Sequence, residues 1–183
     1  MKLNLSGHLS DHTTFCYTGG RRLEKDRPTA VFIHGAGHDH SVWILQTRYF
    51  ATHGWNVVVP DLPGHGRSDG PVLDSIEALA HWTVSLVTKL GTGKVALVGH
   101  SMGSLIALQA AANAPDLISH LVLIGSVAPM PVAAPLLDAT LSNRDKAHAM
   151  INQWSYAPRS QLGASSIPVP NLTAMNERLM HRQ

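Results

Sequence analysis

A single cysteine, Cys16, stands among the 183 residues. One thiol excludes a disulfide framework and every zinc or iron–sulfur pattern that needs several cysteines. Charge is scarce as well. Only 14% of residues are Asp, Glu, Lys or Arg, and 14 basic against 12 acidic side chains leave +2 with histidines neutral. Two surplus charges without a clustered Lys/Arg stripe are no nucleic-acid footprint. Long hydrophobic runs are missing too. The uncharged stretch from Leu121 to Leu137 is broken by Pro129, Pro131 and Pro135, which rules out a straight membrane helix. The first eight residues, Met1 to His8, contain no apolar stretch of the kind that opens a secretory signal. What remains is a chain with 44% hydrophobic residues, enough for the core of one mid-sized domain. The expectation is a soluble, cytoplasmic protein with neither membrane nor nucleic acid as partner.

Four short apolar runs are present, at residues 30–33, 57–59, 95–98 and 121–124. They are continuous rather than alternating and rich in β-branched residues, as are strands covered on both faces of a parallel sheet. Between them the spacing predicts helices over about 41–52, 74–90 and 102–114. Asp74 with Glu77 three residues on fits a capping box, and Pro115 ends the third helix. Strands alternating with helices imply an α/β fold with a mostly parallel sheet flanked by helices. After Ile124 the texture changes to small and proline-rich residues. Helical pieces then follow near 136–141, 144–154 and 172–181, with a loop over 158–170 and no further buried strand. The chain therefore divides into a core, 1–127, and a helical segment, 128–183.

Chemistry is concentrated in Gly99-His100-Ser101-Met102-Gly103, a G-x-S-x-G between an expected strand and an expected helix. Such a sharp turn thrusts the serine out at the end of its strand, with glycines on either side making room for the backbone. The helix beginning beneath Ser101 offers N–H groups and a dipole that favour negative charge. A tetrahedral intermediate there needs two backbone donors. Met102 N–H is one by position; Ala36 N–H, in the loop His34-Gly35-Ala36-Gly37, is the other.

With Asp61-Leu62-Pro63-Gly64-His65-Gly66-Arg67-Ser68-Asp69 as a third block, the order and context of these motifs resemble the serine-nucleophile branch of the α/β-hydrolase fold superfamily. The resemblance runs from about Thr13 to Ile124 and covers the N-terminal portion of that fold, with the last strands absent. It implies a serine hydrolase that cleaves a small-molecule carboxylic ester or lactone through an acyl-enzyme on Ser101. It also implies that 128–183 is a lid or cap and that no cofactor or metal is required. In the family the triad runs Ser, acid, His, with the last two after later strands. Asp138, Asp145 and Glu177 are acids, and His148 and His181 bases, by residue type only. Lying in lid-like helices, they are expected on solvated faces. The middle block is expected to be structural, with Asp61 or Asp69 binding backbone amides. His34, His38 and His40 lie close in sequence, but no clustered carboxylate is seen to join them, so they read as loop histidines rather than metal ligands. His100 reads as a packing residue. Met130, Leu137, Met150 and Trp154 hint at an apolar acyl pocket. The alternatives are a non-catalytic binding protein of the same fold, or an inactive truncated product. A Rossmann-type nucleotide binder is disfavoured because the serine turn lacks the G-x-G opening.

Overall fold

Alternation within each apolar run sorts the core into two layers. The computed structural model describes residues 1–5, 12–155 and 180. Its strands are β1 (Lys2–Asn4), β2 (Thr13–Tyr17), β3 (Thr29–Ile33), β4 (Asn56–Pro60), β5 (Val95–His100) and β6 (Ile118–Ile124), in a six-stranded sheet of order β1-β2-β4-β3-β5-β6. The β4-β3-β5-β6 pairs are parallel, whereas β1 and β2 join antiparallel. Ala30, Phe32, Val57, Val59, Ala96 and Val98 face Trp43 and Ala51 on one side. Val31, Ile33, Val58, Val95 and Leu97 face the other, against helix residues such as Leu79, Leu86, Ile106 and Ala110. Each fully buried Val, Leu or Ile in these layers contributes about 2 kcal/mol.

Three helices connect the parallel strands: α1 (Ile44–Thr52), α2 (Ile76–Leu90) and α3 (Met102–Asn113). The step from β3 to β4 runs one way along the sheet, and the steps to β5 and β6 run the other. Right-handed crossovers therefore put α1 on one face and α2 with α3 on the opposite face, as the two core layers show. The reversal of direction opens a crevice beyond the carboxyl ends of β3 and β5, the place where sheets of this kind bind ligands. Ser101 and the loop 34–37 follow those two strands.

Two sequence expectations shift, and one strand pair carries no sequence signal. The cap of α2 is Ser75 rather than Asp74: Ser75 is extended (φ −141°) and its Oγ accepts from Ala78 N–H at 3.1 Å. Asp74 sits one residue too early for that bond. The run ending in β6 is not covered on both faces, because β6 is the edge strand and Leu121, Val122, Leu123 and Ile124 are exposed. The antiparallel pair β1 and β2 carries no apolar run strong enough to be read from the sequence. Cys16, in β2, is fully buried, and desolvation pushes its thiol up to about 12, so it is an inert packing residue.

By compactness the chain separates into Met1–Ala128 and Pro129–Gln183. The second unit holds α4 (Ala134–Ser142) and α5 (Arg144–Ser155), close to the expected helices, with Asn143 Oδ1 accepting from Lys146 N–H at the corner between them. Of the third helical piece only Met180 is described, and it is helical and buried; the loop 158–170 lies outside the described residues. Among the described residues no helix is long and apolar enough to cross a membrane.

Candidate active site

Ser101 is the only non-glycine residue with positive φ among the described residues, at φ 54° and ψ −124°. Such a backbone costs on the order of 1–3 kcal/mol and persists only where its surroundings enforce it. The enforcement is visible. Ser101 N–H donates to the Ile124 carbonyl at 2.9 Å, and its own carbonyl accepts from Ser104 N–H at 2.8 Å and Ser104 Oγ at 2.6 Å. A Cβ on Gly99 would collide with the Gly103 carbonyl, and one on Gly103 with the carbonyls of Ile33 and His34. Close backbone approach at both glycines makes the turn tight. Ser101 occupies the N-cap position of α3, yet its side chain makes no capping bond, unlike Ser75 at the head of α2. The hydroxyl is not spent on the helix.

The loop after β3 lies directly alongside. A Cβ on Gly35 would stand 3.2 Å from Ser101 Cβ and 3.4 Å from the His100 carbonyl. The fold thus brings together Ser101, the Gly35–Ala36 peptide and Met102, the first residue of α3; Ala36 is exposed, and Ser101 and Met102 are half-buried. The His100 ring lies between Gly35 and Gly125, with Trp43 edge-on at 6.4 Å. Burial, and secondarily the neighbouring His38, hold its pKa below the usual value.

His34 is fully buried and uses both ring nitrogens. Nδ1 lies 2.9 Å from the Gly35 carbonyl oxygen, and Nε2 accepts from Leu62 N–H at 3.1 Å. A carbonyl can only accept and an amide can only donate, so the ring is neutral with its proton on Nδ1. Burial pushes its pKa down to about 4, against a weaker upward pull from the Gly35 carbonyl. An unfolded chain takes up that proton near pH 6.5, whereas the folded protein resists it until about 4. Stability from this group is complete above about pH 6.5, falls through that window and is gone below about 4, a loss of roughly 3 kcal/mol. Urea midpoints measured across that range should fall less steeply for His34→Gln than for the wild type.

The middle block is tied to the segment that follows β3. Asp61 Oδ1 accepts from His40 N–H at 2.7 Å and His40 Nδ1 at 2.8 Å, while Oδ2 accepts from Arg67 N–H at 2.9 Å. Burial alone would raise the Asp61 pKa, but these bonds outweigh it and hold the carboxyl below the usual range. Gly66 packs so closely that a Cβ would sit 2.6 Å from Asp61 Oδ2. Asp61 thus binds backbone amides, as its sequence context suggests. The expectation that no carboxylate joins the loop histidines is overturned: ligand atoms of Asp39, His40 and Asp61 lie within 4.8 Å of one another. Asp39 and Asp61 are engaged with Ser41, with His40 and with the Arg67 amide, a bracing network that sequence spacing could not reveal because 21 residues separate His40 from Asp61. In the second unit Asp138 and Asp145 are exposed, but His148 is buried rather than solvated, and Glu177 and His181 lie outside the described residues.

A family model described as the alpha/beta hydrolase fold matches residues 28–146, which include the serine turn, the loop after β3 and the Asp61 block. The chain belongs to the α/β-hydrolase fold family. Among curated proteins, it is 36% identical over 98 residues to (E)-2-((N-methylformamido)methylene)succinate hydrolase of Acinetobacter baylyi, covering 53% of this chain and 37% of that protein. In fold it is similar to an enol-lactonase from Burkholderia xenovorans, with TM-score 0.80 and 22% identity over 98% of this chain and 67% of the other. An N-acyl homoserine lactone degrading enzyme gives TM-score 0.77 and 22% identity, covering 97% of this chain and 64% of that one. The chain spans little more than a third of this curated hydrolase and about two thirds of these structures.

Proposed function

We propose that this chain is the nucleophile-bearing part of a serine hydrolase that cleaves a carboxylic ester or lactone. The observation that carries the reading is the strained, uncapped Ser101, held at the carboxyl end of β5 beside the Gly35–Ala36 peptide. Ser101 Oγ attacks the carbonyl carbon as its proton passes to a histidine base. The tetrahedral oxyanion is held by the Ala36 and Met102 amides, which are worth most in a site that excludes water. Collapse breaks the C–O bond as the same histidine returns the proton to the leaving oxygen, which departs as the alcohol or as the hydroxyl of the opened lactone, and leaves the acyl group on Ser101. Water activated by the same base then frees the acid. The base and its acid partner are assigned to residues outside 1–183, and the helices after residue 128 to a cap segment. The hydrolase and lactonases similar to this chain support the reaction class, and the strand-end crevice supports the place.

The test is covalent labelling of Ser101 by a fluorophosphonate probe. The 183-residue chain is expected to stay unlabelled over minutes, and a longer, extended chain that carries a histidine base is expected to react at Ser101. Rapid labelling and ester turnover by the 183-residue chain would place the base within it. No labelling of the extended chain would favour a non-catalytic binding protein.

A further inference from the structure

His34 touches the peptide whose amide the proposed mechanism needs. Its Nδ1 lies against the Gly35 carbonyl oxygen, at 2.9 Å, and that carbonyl belongs to the peptide unit whose N–H is Ala36 N–H. In a trans peptide the two groups point in opposite directions. Fixing the carbonyl on the inward side, against a fully buried ring, therefore turns the Ala36 N–H away from that ring. Gly35 itself is pressed against Ser101. The ring can hold the carbonyl only with its proton on Nδ1, and Leu62 N–H, donated to Nε2, forbids the other tautomer.

We propose that His34 is a positioning residue: locked in one tautomer by the Leu62 amide, it clamps the Gly35 carbonyl and so aims the Ala36 N–H at the oxyanion formed on Ser101. This deepens the hydrolase reading and rests on it for the identity of the oxyanion. It also gives the Asp61 block a task in the reaction, since Leu62 follows the carboxylate that braces that loop. A charged ring could not do the same work. Protonated, His34 would present a donor to the Leu62 N–H, which is itself a donor, and the pairing between the two loops would be lost.

The two amide replacements separate clamp from packing. In His34→Asn the side-chain NH2 falls near the Nδ1 position and can still donate to Gly35, while the Leu62 partner is lost. In His34→Gln the side-chain oxygen can still meet Leu62, but the donor to Gly35 is gone. The residual dipolar coupling of the Ala36 N–H, which reports peptide orientation without any catalysis, is expected to match the wild type in His34→Asn and to change in His34→Gln. In the form of the protein that turns over a p-nitrophenyl ester, kcat should fall by about 10- to 100-fold in His34→Gln at nearly constant KM, and by clearly less in His34→Asn. An unchanged Ala36 coupling in His34→Gln overturns the inference, as do equal kcat losses in the two variants. Turnover that survives Ser101→Ala sinks the hydrolase reading instead, and the coupling then decides the clamp by itself. Should neither variant fold, the imidazole 15N spectrum of the wild type decides: a protonated Nδ1 with a bare Nε2 on His34 is expected, and the opposite tautomer defeats the clamp.

Discussion

Ser101→Ala is expected to lower ester turnover by roughly a million-fold, to the level that binding and oxyanion donors alone supply. The measurement is initial rate on a p-nitrophenyl ester in a form of the protein that turns it over. Ser101→Gly should be equally inactive, yet the two variants should part in stability. Alanine keeps a Cβ at φ 54° and ψ −124°, so the strain stays; glycine adopts that backbone readily. Ser101→Gly is thus expected to unfold about 1 kcal/mol later than Ser101→Ala in urea, despite the greater freedom glycine gives the unfolded chain. On the proposed function, that strain is kept because it holds the Ser101 hydroxyl out for chemistry. Equal stability of the two variants would remove the strain argument, and turnover in either would remove the serine.

The parallel half of the fold was legible because its signals are local. Runs such as 95–98 alternate between two covered faces, so every residue is apolar, and the helix pattern at 76–90 repeats at the spacing of one buried stripe. The serine turn could be read for a related reason: Gly99 and Gly103 flank Ser101 where only backbone fits. What the sequence hid is long-range. The pairing of β2 with β4 joins residues about 43 apart, Cys16 with Pro60 and Tyr17 with Val59, and the strand itself is a mixture of Thr, Phe, Cys and Tyr. The edge position of β6 is by contrast legible, since no further buried strand run is read after 121–124. The bonds from His34 to Leu62 and from Asp61 to His40 cross 28 and 21 residues. Residue type named the histidines and the acid, but only the folded loops show which atom meets which.

Gly99→Ala should be the most damaging single-methyl change in the described part of the protein, at about 4 kcal/mol and a melting temperature lower by about 10 °C. The added Cβ would run into the Gly103 carbonyl and crowd the Ser104 Cα, 2.7 Å away, so there is no flexible side chain to yield. Relief requires α3 to move off the strand end, and that movement stretches the Ser104-to-Ser101 bonds that hold the turn. Gly103→Ala meets the same obstacle from the other side, against the carbonyls of Ile33 and His34 at the end of β3. Because the two glycines pack on one another, their losses should not add: once one has forced α3 outward, the second finds room already made. Gly91→Ala is the contrasting case. It has φ 62° at the end of α2 but nothing within 4 Å of the new Cβ, so only backbone strain counts, about 1 kcal/mol. Thermal unfolding of the three single variants and the 99/103 double variant checks the scheme. Gly99→Ala losing no more than Gly91→Ala would mean the turn is loose, and a loose turn could not hold Ser101 in the conformation on which its chemistry depends.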